Sequence, residues 1–273
     1  MSFSKANNKL QEMIDHPDLK VYLRNKRKVY SFDLLSGHSC PFAVECLSKV
    51  MLTDGERVVS PLNKLVNMLV KWKRIIVDGS KMKFRCFSAS QEARLTNVYN
   101  SRKKNFESLR GKSSDEMVSI IRDQMPKNLG ICRIHVAGDF FNPAYFEAWM
   151  KVARLNPNRL FYAYTKSLPY WVNNIEIIPD NLILTASYGG RRDDMIVEYN
   201  LRSAKVVFSY EEAEMLGLEV DHDDTHAANP FWETEDFCLM IHNTQPKGSE
   251  ASEAIKELKR KKQRFSYGKA QTV

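Results

Sequence analysis

Three cysteines and a scatter of acids and histidines carry the chemistry in this chain. Cys40 and Cys46 flank five residues in Ser36-Gly37-His38-Ser39-Cys40-Pro41-Phe42-Ala43-Val44-Glu45-Cys46, and Cys86 follows Phe84 and Arg85. Thiolates are soft ligands that select iron-sulfur clusters, zinc or copper(I) over hard cations. The C-x5-C spacing is neither the usual zinc pair nor a standard cluster run. Spacing alone therefore leaves open that Cys40 and Cys46 are plain loop thiols and Cys86 a small buried hydrophobe. A second group, Asp221-His222-Asp223-Asp224-Thr225-His226, mixes carboxylate and imidazole as manganese, iron, magnesium and proton-transfer sites do. A solvated loop is the competing reading, and the favoured one for Asp221 and Asp224. Joined to His135 and Asp139, the residues His222, Asp223 and His226 would suit a metal-dependent hydrolase or nuclease.

These residues need elements to position them. Six short runs rich in Val, Ile, Phe and Tyr read as buried strands: Val29 to Leu35, Ile131 to Ala137, Leu160 to Thr165, Asn181 to Ala186, Lys205 to Ser209 and Phe237 to His242. Pro143 to Arg154 and Tyr210 to Leu216 carry helical spacing, with Asn142 and Ser209 as caps, Pro143 at the first helical position and Gly217 as a stop. Such alternation predicts right-handed βαβ units and a mainly parallel α/β sheet. In a parallel barrel the residues just after the strands share one mouth. Here they are the Cys40–Cys46 loop, Gly138 and Asp139, Thr165 and Lys166, Ser187 and Arg191, and His242, Asn243 and Gln245. Strand alternation places His135 with Arg133 and Ala137, as a catalytic histidine beneath the mouth or one satisfied within the core. Cys132 and Cys238 fall inside strands and read as packed thiols.

Almost a hundred residues separate the first two strands, and they read as an insertion that folds over the mouth. It holds an expected helix from Pro61 to Lys73, an Asp78-Gly79 turn and a helical run from Ser88 to about Leu109. Phe161, Tyr162, Tyr164, Tyr170 and Trp171 read as core and lid. The last segment is helical in spacing from Glu250 and ends in Lys259-Arg260-Lys261-Lys262-Gln263-Arg264.

With 273 residues, 43% of them hydrophobic, the chain can bury one large core. The expectation is a single α/β domain over 1–273, with a barrel core over 28–250, an insertion over 47–110 and a basic tail over 250–273. No stretch is apolar enough to span a membrane, and the N-terminus lacks a signal core. A cytoplasmic protein is expected, and five cysteines, an odd number, would there be free thiols or metal ligands. The net charge of +8 hints at nucleic acid as a partner, reached through the basic tail.

The segments LSGHSCPFAVECLSKV, FRCFSASQEAR, RIHVAGDFFNPAYFEAWMKVARLNP, LFYAYTKSLPYWV and AKVVFSYEEAEMLGLEVDHDDTHA resemble the phage-encoded "gene product eighty-eight" family, from about Lys28 to Gly268. This resemblance implies a bacteriophage or prophage protein, hence the host cytoplasm. More distantly, the chain is similar to radical S-adenosylmethionine enzymes. Their partial (β/α)6, TIM-like barrel carries cluster cysteines after the first strand and a Gly-Gly-Glu-like motif after the second. Cys40 and Cys46, then Ala137-Gly138-Asp139, follow that order, although the C-x3-C-x2-C loop is absent and the third cysteine is the distant Cys86. The similarity implies an iron-sulfur cluster, 4Fe-4S or else 3Fe-4S, on Cys40, Cys46 and Cys86. One iron would stay open to S-adenosylmethionine, His38, a substrate or water. Gly138 and Asp139 would orient a ligand amine, and Lys166, Ser187, Arg191 and His242 would line the pocket, with His135, Lys166 and His242 as catalytic candidates. A non-enzymatic cluster protein, structural or electron-carrying, is the alternative.

Overall fold

A computed structural model describes residues 1–6, 10, 13–53, 73–231 and 236–264, and the backbone of 56–58 and 69–71. Its twelve strands are β1 (Ser4–Lys5), β2 (Lys28–Phe32), β3 (Ser48–Leu52), β4 (Glu56–Val58), β5 (Leu69–Lys71), β6 (Arg74–Asp78), β7 (Leu129–Ile134), β8 (Leu160–Thr165), β9 (Leu182–Ser187), β10 (Ser203–Val207), β11 (Glu219–Val220) and β12 (Phe237–Met240). Eight form one sheet in the order β1-β2-β7-β8-β9-β10-β12-β11. Every pairing in it is parallel except β1 with β2. All six expected strands are present and adjacent in chain order. The sheet ends at β1 and β11, so among the described residues no pairing closes it into a barrel.

Register sorts the side chains into two faces. Tyr30, Cys132, Phe161 and Leu182 form one cross-strand row, and all four belong to the larger apolar cluster, packed under the helices Ser114–Gln124 and Pro143–Arg154. One residue on, Ser31, Arg133, Tyr162 and Ile183 form the row of the opposite face. There a second cluster gathers Val29, Ile131, Leu160, Tyr162 and Phe237 over Leu10, Met13 and Leu19. Both faces are apolar because parallel sheets are covered on both sides.

The helices start where capping dictates. Asn142 Oδ1 accepts the Tyr145 amide at 2.8 Å ahead of Pro143. Ser209 Oγ accepts the Glu212 amide at 3.1 Å, and Gly217 ends that helix at φ 66°. Such caps are worth about 1 kcal/mol each.

The insertion differs from its sequence reading. Much of the helix expected over Pro61 to Lys73 lies outside the described residues, but Leu69–Lys71 is a strand, paired antiparallel with Glu56–Val58. Separately, β3 pairs antiparallel with β6 in a two-stranded ribbon, whose Val, Met, Leu and Ile suit a strand. The helical run after Ser88 is two helices, Phe87–Arg94 and Thr96–Leu109, broken at the extended Leu95. Among the described residues no helix is long and apolar enough to cross a membrane.

Candidate functional site

A cavity of about 200 Å³ opens at the carboxyl ends of the strands. β7 and β12 stand four places apart, about 19 Å in a flat sheet. Arg133 on β7, Tyr164 on β8, Val206 on β10 and Leu239 on β12 nevertheless line the same cavity, so the sheet is curled.

Cys40, Cys46 and Cys86 all face this cavity, half-buried and free of disulfides, whereas Cys132 and Cys238 are fully buried in the apolar clusters. The Cys40–Cys46 loop is fastened at several points. The amides of Val44 and Glu45 donate to the Gly189 carbonyl at 3.1 and 3.0 Å, and Ala43 bridges Gly190. Gly138, at φ 94°, lets Ser39 and Leu34 approach: a Cβ there would sit 2.6 Å from Ser39 Oγ. Cys86 comes from the insertion and is held by its neighbours. Its amide donates to Ser48 Oγ at 3.3 Å, the Arg85 amide donates to Gln245 Oε1 at 2.7 Å, and the Arg85 guanidinium pairs with Asp78.

Burial first, then the negative charges of Asp139, Cys86 and Cys46, pushes the Cys40 thiol well up. Burial, then Cys46, pushes Cys86 up to about 11. Cys40 and Cys86 are therefore held as thiols, chiefly by burial, and each disfavours the other's ionisation. Among the described residues no three His, Cys, Asp or Glu side chains are set to close on one ion. A single ion would hold every thiolate at about 2.3 Å, whereas a cluster binds each to a separate iron and spreads them apart. Three thiols lining one cavity are of the soft type that metals and clusters take as ligands.

Around the thiols the expected residues divide. Asp139 is buried; its Oδ1 accepts from the Phe140 amide at 2.7 Å and Thr165 Oγ1 at 2.6 Å, its Oδ2 from the Lys166 amide at 2.9 Å, and burial raises its pKa. Lys166 Nζ donates to Ser187 Oγ at 2.6 Å, Ser187 O at 3.0 Å and Tyr188 O at 2.5 Å, so its three bonds tie the residue after β8 to the end of β9. Its ammonium is a strut in this arrangement. His242 lines the cavity, packs at a tilt against Phe87 with ring centres 5.3 Å apart and has Nδ1 3.0 Å from the Met240 carbonyl. Arg191, expected to line the pocket, is exposed instead and is not part of the lining; its amide donates to the Phe42 carbonyl. His38 is exposed outside the lining, its Nε2 2.9 Å from the Val50 carbonyl.

His135 lines the cavity with Arg133 and Ala137 but lies just beyond the end of β7. Its backbone is left-handed at φ 69°, uncommon for a residue with a side chain. The ring packs against Phe140 and Tyr145 at 4.9 and 5.6 Å, and Nε2 meets the Tyr145 hydroxyl at 3.0 Å. Burial, then the Arg133 charge, brings its pKa down to about 3, so the imidazole is neutral at physiological pH.

The acid-rich loop also differs from expectation. Asp221 and Asp224 are buried, not solvated. Arg133 pairs with Asp224, which also accepts from Tyr162 at 3.0 Å and Tyr164 at 3.2 Å. Tyr164 reaches Asp221 as well, at 3.3 Å, and His226 lies 3.6 Å from Asp221. This network floors the cavity. Of the five residues considered for a hydrolase, His135, Asp139 and His222 line the cavity while Asp223 and His226 do not, and His135 Nε2 is engaged by the Tyr145 hydroxyl. Sequence reasoning missed Ser48 and Glu92, and it read Tyr162 as core without its hydroxyl bond to Asp224. Glu92 is fully buried, pairs with Arg102 at 3.1 Å and accepts from Ser36 Oγ at 2.8 Å, joining the insertion to the loop after β2. A lone acid in a helix carries no signal of this in sequence.

The chain matches the family model described as Gene product 88 over residues 1–265. It belongs to that family. It is 35% identical over 71 residues to the "Gene 88 protein" of Mycobacterium phage L5, a match covering 23% of this chain and 30% of that protein. Both matches support a bacteriophage origin. No solved structure matches. The motifs quoted from the sequence, the Cys40–Cys46 loop and the Cys86 segment among them, lie within the Gene product 88 match.

Proposed function

We propose that this Gene product 88 protein binds an iron-sulfur cluster on Cys40, Cys46 and Cys86 and acts as an enzyme resembling the radical S-adenosylmethionine class, on a partial (β/α)6 barrel. The observation that carries the reading is the convergence of three free thiols, two from the loop after β2 and one from the insertion, on one cavity at the strand ends. Six parallel strands in chain order, curled around that cavity, support the barrel. A bound cluster supplies one-electron chemistry. The protein's part is to hold the thiols, exclude water with Phe84, Phe87, Leu239 and Ile241, and orient a second ligand. Asp139 suits a ligand amine, because a carboxylate accepts about four hydrogen bonds and three are taken by Phe140, Thr165 and Lys166.

A non-enzymatic cluster is the second reading, favoured by Cys86 belonging to the insertion, so that the cluster would cross-link insertion and sheet. Calorimetry with S-adenosylmethionine separates the two, since only the enzyme binds it. The cluster itself is tested by anaerobic purification and iron and sulfide analysis of five variants. Cys40→Ser, Cys46→Ser and Cys86→Ser should lose or convert it. Cys132→Ala and Cys238→Ala should keep it at a stability cost of about 1 kcal/mol or somewhat more. Full iron in Cys86→Ser would remove the assignment.

A further inference from the structure

The ribbon of β3 and β6 grows from the rim of the cavity. Ser48, at the start of β3, holds the Cys86 amide, Val50 O meets His38, and the Gly79 amide donates to the Leu47 carbonyl at 2.7 Å. The described residues 46–53 and 73–85 contain six Lys or Arg against one Asp. Some of those cations are engaged within the protein: Lys83 with Glu45, Arg85 with Asp78, and Arg74 with Ala93 O and Thr96 Oγ1. Lys73 and Lys81 are exposed and Lys49 half-exposed. Cross-strand pairing puts Lys49 with Val77 and Met51 with Ile75 on one face, where Met51, Ile75 and Val77 are about 40% exposed.

We infer that this ribbon docks nucleic acid beside the cavity, so that the substrate of the proposed enzyme is a nucleic acid; the substrate assignment rests on the reading above. The surplus charge disfavours a second copy of the chain, since like charges would face each other, and calls for a polyanion. A two-stranded ribbon fits the major groove, where apolar side chains meet thymine methyl groups and cations meet phosphates. In the described part of the C-terminal helix, by contrast, Lys256, Arg260 and Lys261 are paired with Glu253, Glu257 and Glu211. The ribbon is the better candidate than the tail.

The test uses the full chain and fluorescent mixed-sequence duplex DNA, with anisotropy titrations over a range of potassium chloride. Each phosphate contact contributes about 0.9 to the slope of log affinity against log salt. The Lys49→Gln/Lys73→Gln/Lys81→Gln variant should therefore flatten the slope by about 2.7, with an unchanged melting midpoint. No binding at roughly 50 mM salt, an unchanged slope in the triple variant, or binding to phosphatidylserine vesicles but not to DNA would each overturn the inference. Iron and sulfide are measured on the same preparations. Iron lost with DNA binding intact would sink the cluster and leave the ribbon, whereas iron intact with no DNA binding would sink the ribbon alone.

Discussion

Gln245 grips the backbone of Arg85 on both sides: its Oε1 accepts the Arg85 amide at 2.7 Å and its Nε2 donates to the Arg85 carbonyl at 3.1 Å. The same Nε2 donates to His242 O at 3.1 Å. One side chain after the last strand thus fixes the residue beside Cys86, 160 positions away in the chain. Gln245→Ala removes these bonds at about 0.5–1.5 kcal/mol each. We expect faster hydrogen exchange confined to residues 84–88 and weaker iron retention, with the sheet unchanged. Unaltered exchange there would show that Arg85–Asp78 and Ser48 suffice.

Gly138 is a second constraint on the site. It combines φ 94° with a Cβ position 2.6 Å from Ser39 Oγ and 2.8 Å from Leu34 Cβ. Gly138→Ala should cost about 1–3 kcal/mol from backbone strain alone, and should displace the Cys40 loop. Denaturant unfolding checks the first effect. Faster alkylation of Cys40, with Cys132 still protected, checks the second.

His135 makes stability depend on acidity. Its folded pKa is about 3 through burial and the Arg133 charge, against about 6.5 unfolded. Below pH 6.5 the unfolded chain takes up a proton that the folded one refuses. The stability it contributes is therefore fully present above pH 6.5 and falls by about 1.4 kcal/mol per pH unit towards pH 3. His135→Gln should lack that component, and parallel stability curves for the two proteins between pH 6.5 and 4 would refute the assignment.

Much of this was legible in the sequence. Six strands and the helices at Pro143 and Tyr210 were readable because apolar runs, caps and a stop glycine are local signals. The polar residues after those strands converge because parallel strands share one end. What failed was non-local. Strand alternation could not foresee the left-handed turn at His135. The ribbon at β5 was read as helix because short apolar runs suit either state. The burial of Asp221 and Asp224 depends on Arg133, Tyr162 and Tyr164 from two other strands, and no spacing encodes those partners.

The Arg133–Asp224 pair offers the strictest test of the cavity floor. Both side chains are nearly or fully buried, and the pair joins β7 to a loop 91 positions further along the chain. Removing one member of a buried pair strands the other charge and costs about 3–5 kcal/mol. The two members are not equivalent, however. With Arg133→Met, Asp224 keeps the Tyr162 and Tyr164 hydroxyls at 3.0 and 3.2 Å, donors that burial holds protonated. With Asp224→Asn the guanidinium loses its carboxylate, although asparagine tolerates the φ of 65° found there. Asp224→Asn should therefore be the more damaging single change, and the double variant should be less destabilised than the sum of the two by about 0.5–3 kcal/mol. Urea unfolding with unchanged m-values measures all three. Additive effects would mean that the two charges act independently and that the floor is held by the tyrosines alone.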